Sequence, residues 1–227
     1  MKQKINIREG RFMVAAAAAG TSGDTACVCS LPGGRLAFIL SDGMGKGMKA
    51  AEESRVVVEE LRKLLKKGFP PAQAIKLVNK KLIDNNDSSK KSQWPEVTFA
   101  TIDLIIIDKV GGFARFYKLG AACSFLLRNG HIKKIQRSAL PVGVFQRVSA
   151  SQIKVKLRVG DTLIIVSDGI TEADKQDLEV TWLGEYLRGI PTNIGPRVLA
   201  SEIASIAKSK YMSRQTDDIT VFVVQIK

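Results

Sequence analysis

The spacing of apolar positions changes repeatedly along the chain, and the changes divide it into elements. Small side chains over 11–19 predict a first strand, a Gly20-Thr21-Ser22-Gly23-Asp24 turn follows, and 25–31 reads as a second strand. Pro32-Gly33-Gly34-Arg35 makes a tight connection into Leu36-Ala37-Phe38-Ile39-Leu40, an unbroken apolar run of the kind buried on both faces. From Met48 the period lengthens. Ala51, Ser54, Val58, Leu61 and Leu65 recur at spacings of three and four, which predicts an amphipathic helix. Gly68 closes it, Pro70-Pro71 opens another, and Ile75, Val78 and Leu82 form the second stripe.

Residues 84–95 are polar and read as a mobile loop, after which the strand period returns. Strands are predicted over 97–107, 114–119, 124–128, 131–136 and 151–157, with Asn129-Gly130 as the clearest hairpin turn. Leu163-Ile164-Ile165-Val166 is a second fully apolar run. Helical pieces broken by Gly and Pro span 172–195, a helix covers 196–210, and 219–226 is a last apolar strand. Strands, two helices, antiparallel strands, helices and one strand predict an α+β fold. Its expected form is a four-layer α-β-β-α sandwich of two antiparallel sheets flanked by helices. No repeat or long linker divides 1–227, so a single domain is expected, with 1–10 frayed.

Charge narrows the partners. The 227 residues carry 35 Lys+Arg against 22 Asp+Glu, a net charge of +13. The basic pairs Arg62-Lys63, Lys66-Lys67, Lys80-Lys81 and Lys90-Lys91 are scattered, and no aromatic residues interleave them as base-stacking would require. Nucleic acid is therefore not an expected partner. Cys27, Cys29 and Cys123 have no metal-type spacing and form an odd count, which argues for a reducing compartment without disulfides or zinc. Cys27 and Cys29 share one strand face as small hydrophobes. No apolar run reaches the length of a membrane span. The expected location is the cytoplasm, either as a soluble protein or as the cytoplasmic piece of a longer, membrane-anchored chain.

Candidate chemistry lies where the apolar strands end. Leu40-Ser41-Asp42-Gly43 is echoed by Val166-Ser167-Asp168-Gly169, and Asp24 and Asp217-Asp218 each precede a strand. A hairpin would place Asp24 and Asp42 at one rim, and Asp168 with Asp217 repeats that arrangement. Clustered aspartates cannot all stay ionised without cations. All-oxygen ligation selects Mg²⁺ or Mn²⁺ over zinc, and two such ions can activate a shared water. His131, the only histidine, falls in the hairpin, where solvent exposure is expected, so no Ser-His or Cys-His pair is available. Gly43-Met44-Gly45-Lys46-Gly47 lacks the spacing and hydroxyl of a nucleotide-binding loop.

These stretches resemble a known family. Ser22-Gly23-Asp24, Ile39-Leu40-Ser41-Asp42-Gly43-Met44-Gly45, Ser167-Asp168-Gly169 and Asp217-Asp218-Ile219-Thr220-Val221 are similar to the motifs of PPM-type metal-dependent serine/threonine phosphatases. Within that group they resemble the phosphatase domain of the sporulation stage II protein E (SpoIIE) family, as do 50–53, 98–108 and Ala139-Leu140-Pro141-Val142-Gly143. The resemblance implies two Mn²⁺ or Mg²⁺ ions held by Asp24, Asp42, the Gly43 carbonyl, Asp168 and Asp217, with Asp42 bridging them and Asp218 behind the ligands. Asp42, Asp168 and Asp217 would then carry catalysis through a metal-activated water. The implied substrate is a phosphoserine on a small anti-sigma-factor antagonist, or on a similar partner of the bacterial stress-response branch. A catalytically silent binding domain on the same fold is the alternative. Eukaryotic relatives grip phosphate with an arginine before the first aspartate; Gly20-Thr21-Ser22 stands there, which leaves Lys46 as the phosphate-binding candidate. The helices at 48–83 are a candidate homodimer surface and regulatory element.

Overall fold

The computed structural model describes residues 5–14, 20–45, 47–89, 98–174, 176–177, 179–191, 193–211, 215 and 217–227. In chain order the elements are β1 (Ile7–Val14), β2 (Asp24–Leu31), β3 (Arg35–Asp42), α1 (Met48–Lys66), α2 (Pro71–Ser89), β4 (Ile102–Asp108), β5 (Phe113–Leu119), β6 (Ser124–Arg128) and β7 (His131–Ile135). After them come β8 (Ile153–Lys156), β9 (Thr162–Val166), α3 (Asp168–Thr171), α4 (Thr181–Arg188), α5 (Pro196–Lys210) and β10 (Ile219–Ile226). They form two compact units, one from 21–121 and 137–155, the other from 1–20, 122–136 and 156–227. Each holds one of the repeated Ser-Asp-Gly corners, so we call them the Asp42 unit and the Asp168 unit.

The Asp42 unit is an antiparallel sheet in the order β2-β3-β4-β5-β8, with α1 and α2. Asp24 pairs with Asp42 and Leu31 with Arg35, so the Pro32–Arg35 connection sits at the opposite end of the hairpin from the two acids. The apolar stripe of α1 faces this sheet: Val57, Val58, Leu61 and Leu65 are buried in one cluster with Ala37, Ile39, Leu104 and Ile106. Each such side chain contributes roughly 1.5–3 kcal/mol of burial. Ile75, Val78 and Leu82 of α2 join the same cluster, as the helical period predicts.

The Asp168 unit is an antiparallel sheet in the order β1-β10-β9-β6-β7, carrying α3, α4 and α5. Leu199, Ala200, Ile203, Ala204 and Ala207 of α5 pack with Ile219, Val221 and Val223 of β10 and Ile164 and Val166 of β9. His131 is exposed at the Asn129-Gly130 hairpin, and Cys29 and Cys123 are buried.

Several boundaries differ from the sequence expectation. The first strand runs over Ile7–Val14, and residues 7–10, expected to fray, pair with 223–226. β1 is an edge strand in which Arg8, Glu9 and Arg11 stay exposed while Gly10 is buried and Phe12 and Val14 pack on the core, and charge is no obstacle to pairing there. Residues 15–19, assigned to that strand, lie outside the described residues.

Helix α2 continues to Ser89, whereas 84 onward reads as a loop; 90–97 lie outside the described residues. The extension has a tertiary cause. Buried Asn86 receives a hydrogen bond from the Thr98 backbone N–H at 2.7 Å and donates to the carbonyls of Thr98 at 2.9 Å and Gly143 at 3.1 Å. A polar sequence is thereby held helical by bonds that its own periodicity does not encode. The strand expected over 97–107 begins at Ile102, preceded by a single bridge at Ala100.

Asn86→Ala should lower stability by about 1–3 kcal/mol, because buried backbone groups lose their partner. Exposed Asn85→Ala should leave it unchanged within about 0.5 kcal/mol. Urea unfolding of the two variants measures the contrast; equal losses would show that the tether is not what orders this turn.

Candidate metal and catalytic site

In the Asp42 unit the acid-bearing corner is held from three sides. Asp42 ends β3, and its backbone N–H donates to the Thr101 hydroxyl at 2.8 Å while its carbonyl accepts from the Thr101 N–H at 2.9 Å. The Ser41 hydroxyl donates to the Thr101 carbonyl at 2.7 Å. Asp24, buried, lies across from Asp42 in register, and its N–H donates to the Ser22 hydroxyl at 3.2 Å. Beyond the corner, the Met44 N–H donates to the Glu53 carboxylate of α1 at 3.0 Å, and Glu53 is itself buried.

Gly43 is where helix and corner touch. A Cβ there would lie 2.0 Å from the Ala50 carbonyl oxygen, so no side chain can occupy the position. The first turn of α1 therefore rests directly on the backbone of the residue after Asp42. Gly45 and Gly47 hold φ near 83° and 78°, a left-handed conformation that glycine tolerates without strain. Lys46 lies outside the described residues.

The Asp168 unit repeats the corner. The Ser167 hydroxyl donates to the Asp218 carbonyl at 3.2 Å and accepts from the Thr220 N–H at 2.9 Å. A Cβ at Gly169 would lie 2.0 Å from the Asp218 carbonyl oxygen and 3.4 Å from the Asp217 Cβ. Asp168-Gly169 is thus pressed against Asp217-Asp218, and the Asp218 N–H donates to the Asp217 carboxylate at 2.9 Å. Tyr211 donates its hydroxyl to the Gly169 carbonyl at 2.7 Å, and Gln215 donates to the Asp217 carbonyl at 2.6 Å. Burial, then the charges of Asp217 and Asp168, push the Tyr211 hydroxyl above its ordinary range and keep it a donor.

Crowding shows in the electrostatics. Burial first, then the charges of Asp217 and Glu172, push the Asp168 carboxyl up to about 6. A hard cation would reverse that cost, and the donors at each corner are oxygens, so the residues of each corner, taken by itself, fit Mg²⁺ or Mn²⁺. Among the described residues no three His, Cys, Asp or Glu side chains already stand as a ready-made ligand group. The pairing of Asp24 with Asp42, and of Asp168 with Asp217-Asp218, is as the strand pattern predicts. The pattern does not reveal Glu53, Thr101 or Tyr211, which hold these corners. Polar residues in helices and connections read as solvated, although 50–53 belongs to the stretches that carry the family resemblance.

A family model described as Stage II sporulation protein E (SpoIIE) matches residues 32–227. The chain belongs to the SpoIIE family. It is 32% identical over 206 residues to stage II sporulation protein E of Bacillus subtilis (strain 168), covering 90% of this chain and 24% of that protein. For the Priestia megaterium protein the identity is 31% over 209 residues, covering 91% and 34%. The chain thus spans about a quarter to a third of the curated relatives it matches.

The solved structure of the PP2C phosphatase domain and a fragment of the regulatory domain of B. subtilis SpoIIE superposes with a TM-score of 0.86 at 30% identity, covering 99% of this chain and 64% of that one. A second structure, of the B. subtilis SpoIIE phosphatase domain in a crystal form without domain swapping, gives 0.72 at 28%, covering 100% and 95%. The Mycobacterium tuberculosis serine/threonine phosphatase PstP shares the fold, with a TM-score of 0.73 at 16% identity. The expected fold class, two antiparallel sheets flanked by helices as in PP2C-type phosphatases, is therefore the one found. The chain matches the part of SpoIIE that was solved as its PP2C phosphatase domain.

The Asp168 carboxyl gives a pH test. The folded protein takes up its proton near 6 and the unfolded chain near the ordinary 3.8, so the ionised group penalises the metal-free fold fully above pH 6. That penalty is relieved as pH falls from 6 toward 3.8. Metal-free Asp168→Asn should exceed wild type in stability at pH 7, on the order of 3 kcal/mol. The gap should shrink steadily toward pH 4 in urea unfolding. A gap independent of pH would mean that Asp168 is not crowded.

Proposed function

We propose that residues 1–227 form one PPM-type domain that hydrolyses phosphoserine or phosphothreonine on a regulatory protein. The observation that carries this reading is the duplicated corner: Ser41-Asp42-Gly43 beside Asp24, and Ser167-Asp168-Gly169 beside Asp217-Asp218, in a chain of the SpoIIE family. Asp24, Asp42, the Gly43 carbonyl, Asp168 and Asp217 would hold two Mn²⁺ or Mg²⁺ ions, which supply an activated water and neutralise phosphate charge when bound. Asp42 is oriented by Thr101 on both its backbone groups, and Asp168 by the contact of Gly169 with Asp218. Asp218 acts behind them through its backbone, as acceptor for Ser167. No histidine or cysteine takes part.

The substrate that fits the family is a small anti-sigma-factor antagonist carrying phosphoserine, and the cytoplasm is the compartment this implies. Among the described residues no helix is long and apolar enough to cross a membrane. Helix α1 rests on Gly43 through Ala50 and grips Met44 through Glu53, so a partner or second copy bound to the helices at 48–83 would act directly on the Asp42 corner.

Hydrolysis of p-nitrophenyl phosphate should require Mn²⁺ or Mg²⁺ and vanish in excess EDTA. Asp42→Asn and Asp168→Asn should each fall below about a tenth of the wild-type rate, a loss of more than 1.4 kcal/mol of barrier stabilisation. Activity that persists in EDTA after elemental analysis shows no retained metal would overturn the reading.

A further inference from the structure

The segment after β7 presents apolar side chains outward with unusual firmness. Leu140, Val144 and Phe145 are 59%, 39% and 55% exposed. Their backbone is nonetheless tied down. The Gly143 N–H donates to Asn79 at 2.9 Å, Asn79 donates to the Phe145 carbonyl at 2.9 Å, and Asn86 donates to the Gly143 carbonyl at 3.1 Å. Gly143 holds φ near 92°, and a Cβ there would lie 2.4 Å from the Thr98 carbonyl oxygen. Two buried asparagines of α2 thus fix a loop whose large hydrophobics point at water. Fixed, solvent-facing apolar groups mark a binding surface.

Its surroundings are basic. A cavity of about 480 Å³ is lined by Arg137, Leu140, Phe145 and Arg147. A neighbouring one of about 690 Å³ shares Arg147 and adds Lys76 and Lys80, with Asp84 as its one acid. Among the described residues none of these four cations has an ion-pair partner, and the Arg137 Nε is buried without an acceptor. The surface also has a fixed relation to Asp42. Gly43 bridges Ala100, and Ala100 bridges Val142, so Val142 stands two strand spacings, roughly 10 Å, from the residue after Asp42.

We propose that this face docks the protein substrate, by an acidic segment whose apolar side chain seats on Leu140 and Phe145 while its carboxylates meet Arg137, Arg147 and the lysines of α2. The proposal rests on the phosphatase reading above and names what that reading leaves open, the recognition of the protein around its phosphoserine. At roughly 3.3 Å per extended residue, the anchor falls about three to six positions from the phosphoserine.

The test uses a fluorescein-labelled phosphoserine peptide with Leu four residues from the phosphoserine, flanked by Glu, and a control peptide with Gln for Glu. Binding is read by anisotropy with Mn²⁺ absent, and turnover of the peptide and of p-nitrophenyl phosphate is read with Mn²⁺ present. Wild type should bind the acidic peptide at least tenfold more tightly than the control. Arg147→Glu and Phe145→Ala should each remove most of that preference and raise the peptide KM at least fivefold. Hydrolysis of p-nitrophenyl phosphate should stay within twofold, which also shows that the variants fold, and a Lys-flanked peptide should regain binding on Arg147→Glu. Equal binding of both peptides, or variants that leave the preference intact, would overturn docking while leaving the phosphatase reading in place. Charge-selective binding without metal-dependent turnover would uphold the docking face and remove the phosphatase reading. A change in sedimentation on Arg147→Glu with no change in peptide binding would assign the face to a second copy of this chain and overturn the proposal.

Discussion

The contact on which both corners depend is a backbone carbonyl pressed into the space where a glycine lacks its Cβ. At Gly43 the carbonyl belongs to Ala50, and at Gly169 it belongs to Asp218, each 2.0 Å from where a Cβ would stand. Such an approach is open to glycine alone. Its effect is to fix the residue before it, Asp42 or Asp168, at the end of an apolar strand whose own side chains are sequestered. The carboxylates are thus placed by backbone packing around the two glycines.

The two corners use the same parts in different company. In both, a serine hydroxyl bonds a carbonyl in the connection leading into a neighbouring strand, Thr101 before β4 in one unit and Asp218 before β10 in the other. What presses on the glycine differs. Helix α1 does so in the Asp42 unit, whereas the chain entering β10 does so in the Asp168 unit. A strand in a sheet is stiff, while an amphipathic helix packed by one face can slide or rotate. The Asp42 corner is therefore the more adjustable of the two, and the Glu53–Met44 bond strengthens its coupling to α1.

Much of this architecture is legible in the amino-acid sequence, for a definite reason. Apolar runs such as 36–40 and 163–166 carry their strand identity in composition, and the Ser-Asp-Gly echo marks where each stops. Periodicity also yields the stripes of α1 and α2, since burial and helix geometry select the same positions. Legibility fails where a polar side chain bonds something distant in sequence. Asn79 and Asn86 look like solvated helix residues, yet they are buried and reach segments 57–67 residues away, and this is why α2 outlasts its apolar pattern. Glu53 and Tyr211 are opaque for the same reason. The edge strand β1 escapes the pattern because its first half carries exposed Arg8, Glu9 and Arg11, and such a charged stretch resembles a frayed terminus.

The asparagines link the two surfaces of the Asp42 unit. The bonds that lengthen α2 are also the bonds that hold out Val144 and Phe145, and the same helix carries Lys76 and Lys80 beside them. Ala100 joins this loop to Gly43 through paired bridges. Whatever displaces α2 must therefore move the exposed apolar loop, and whatever seats on the loop is felt at the backbone beside Asp42. The proposed docking face and the Asp42 corner thus share one hydrogen-bonded frame. A substrate large enough to fill the loop surface could thus favour the Asp42 arrangement that a small phosphomonoester leaves unassisted, with a magnitude set by its differential affinity for that arrangement.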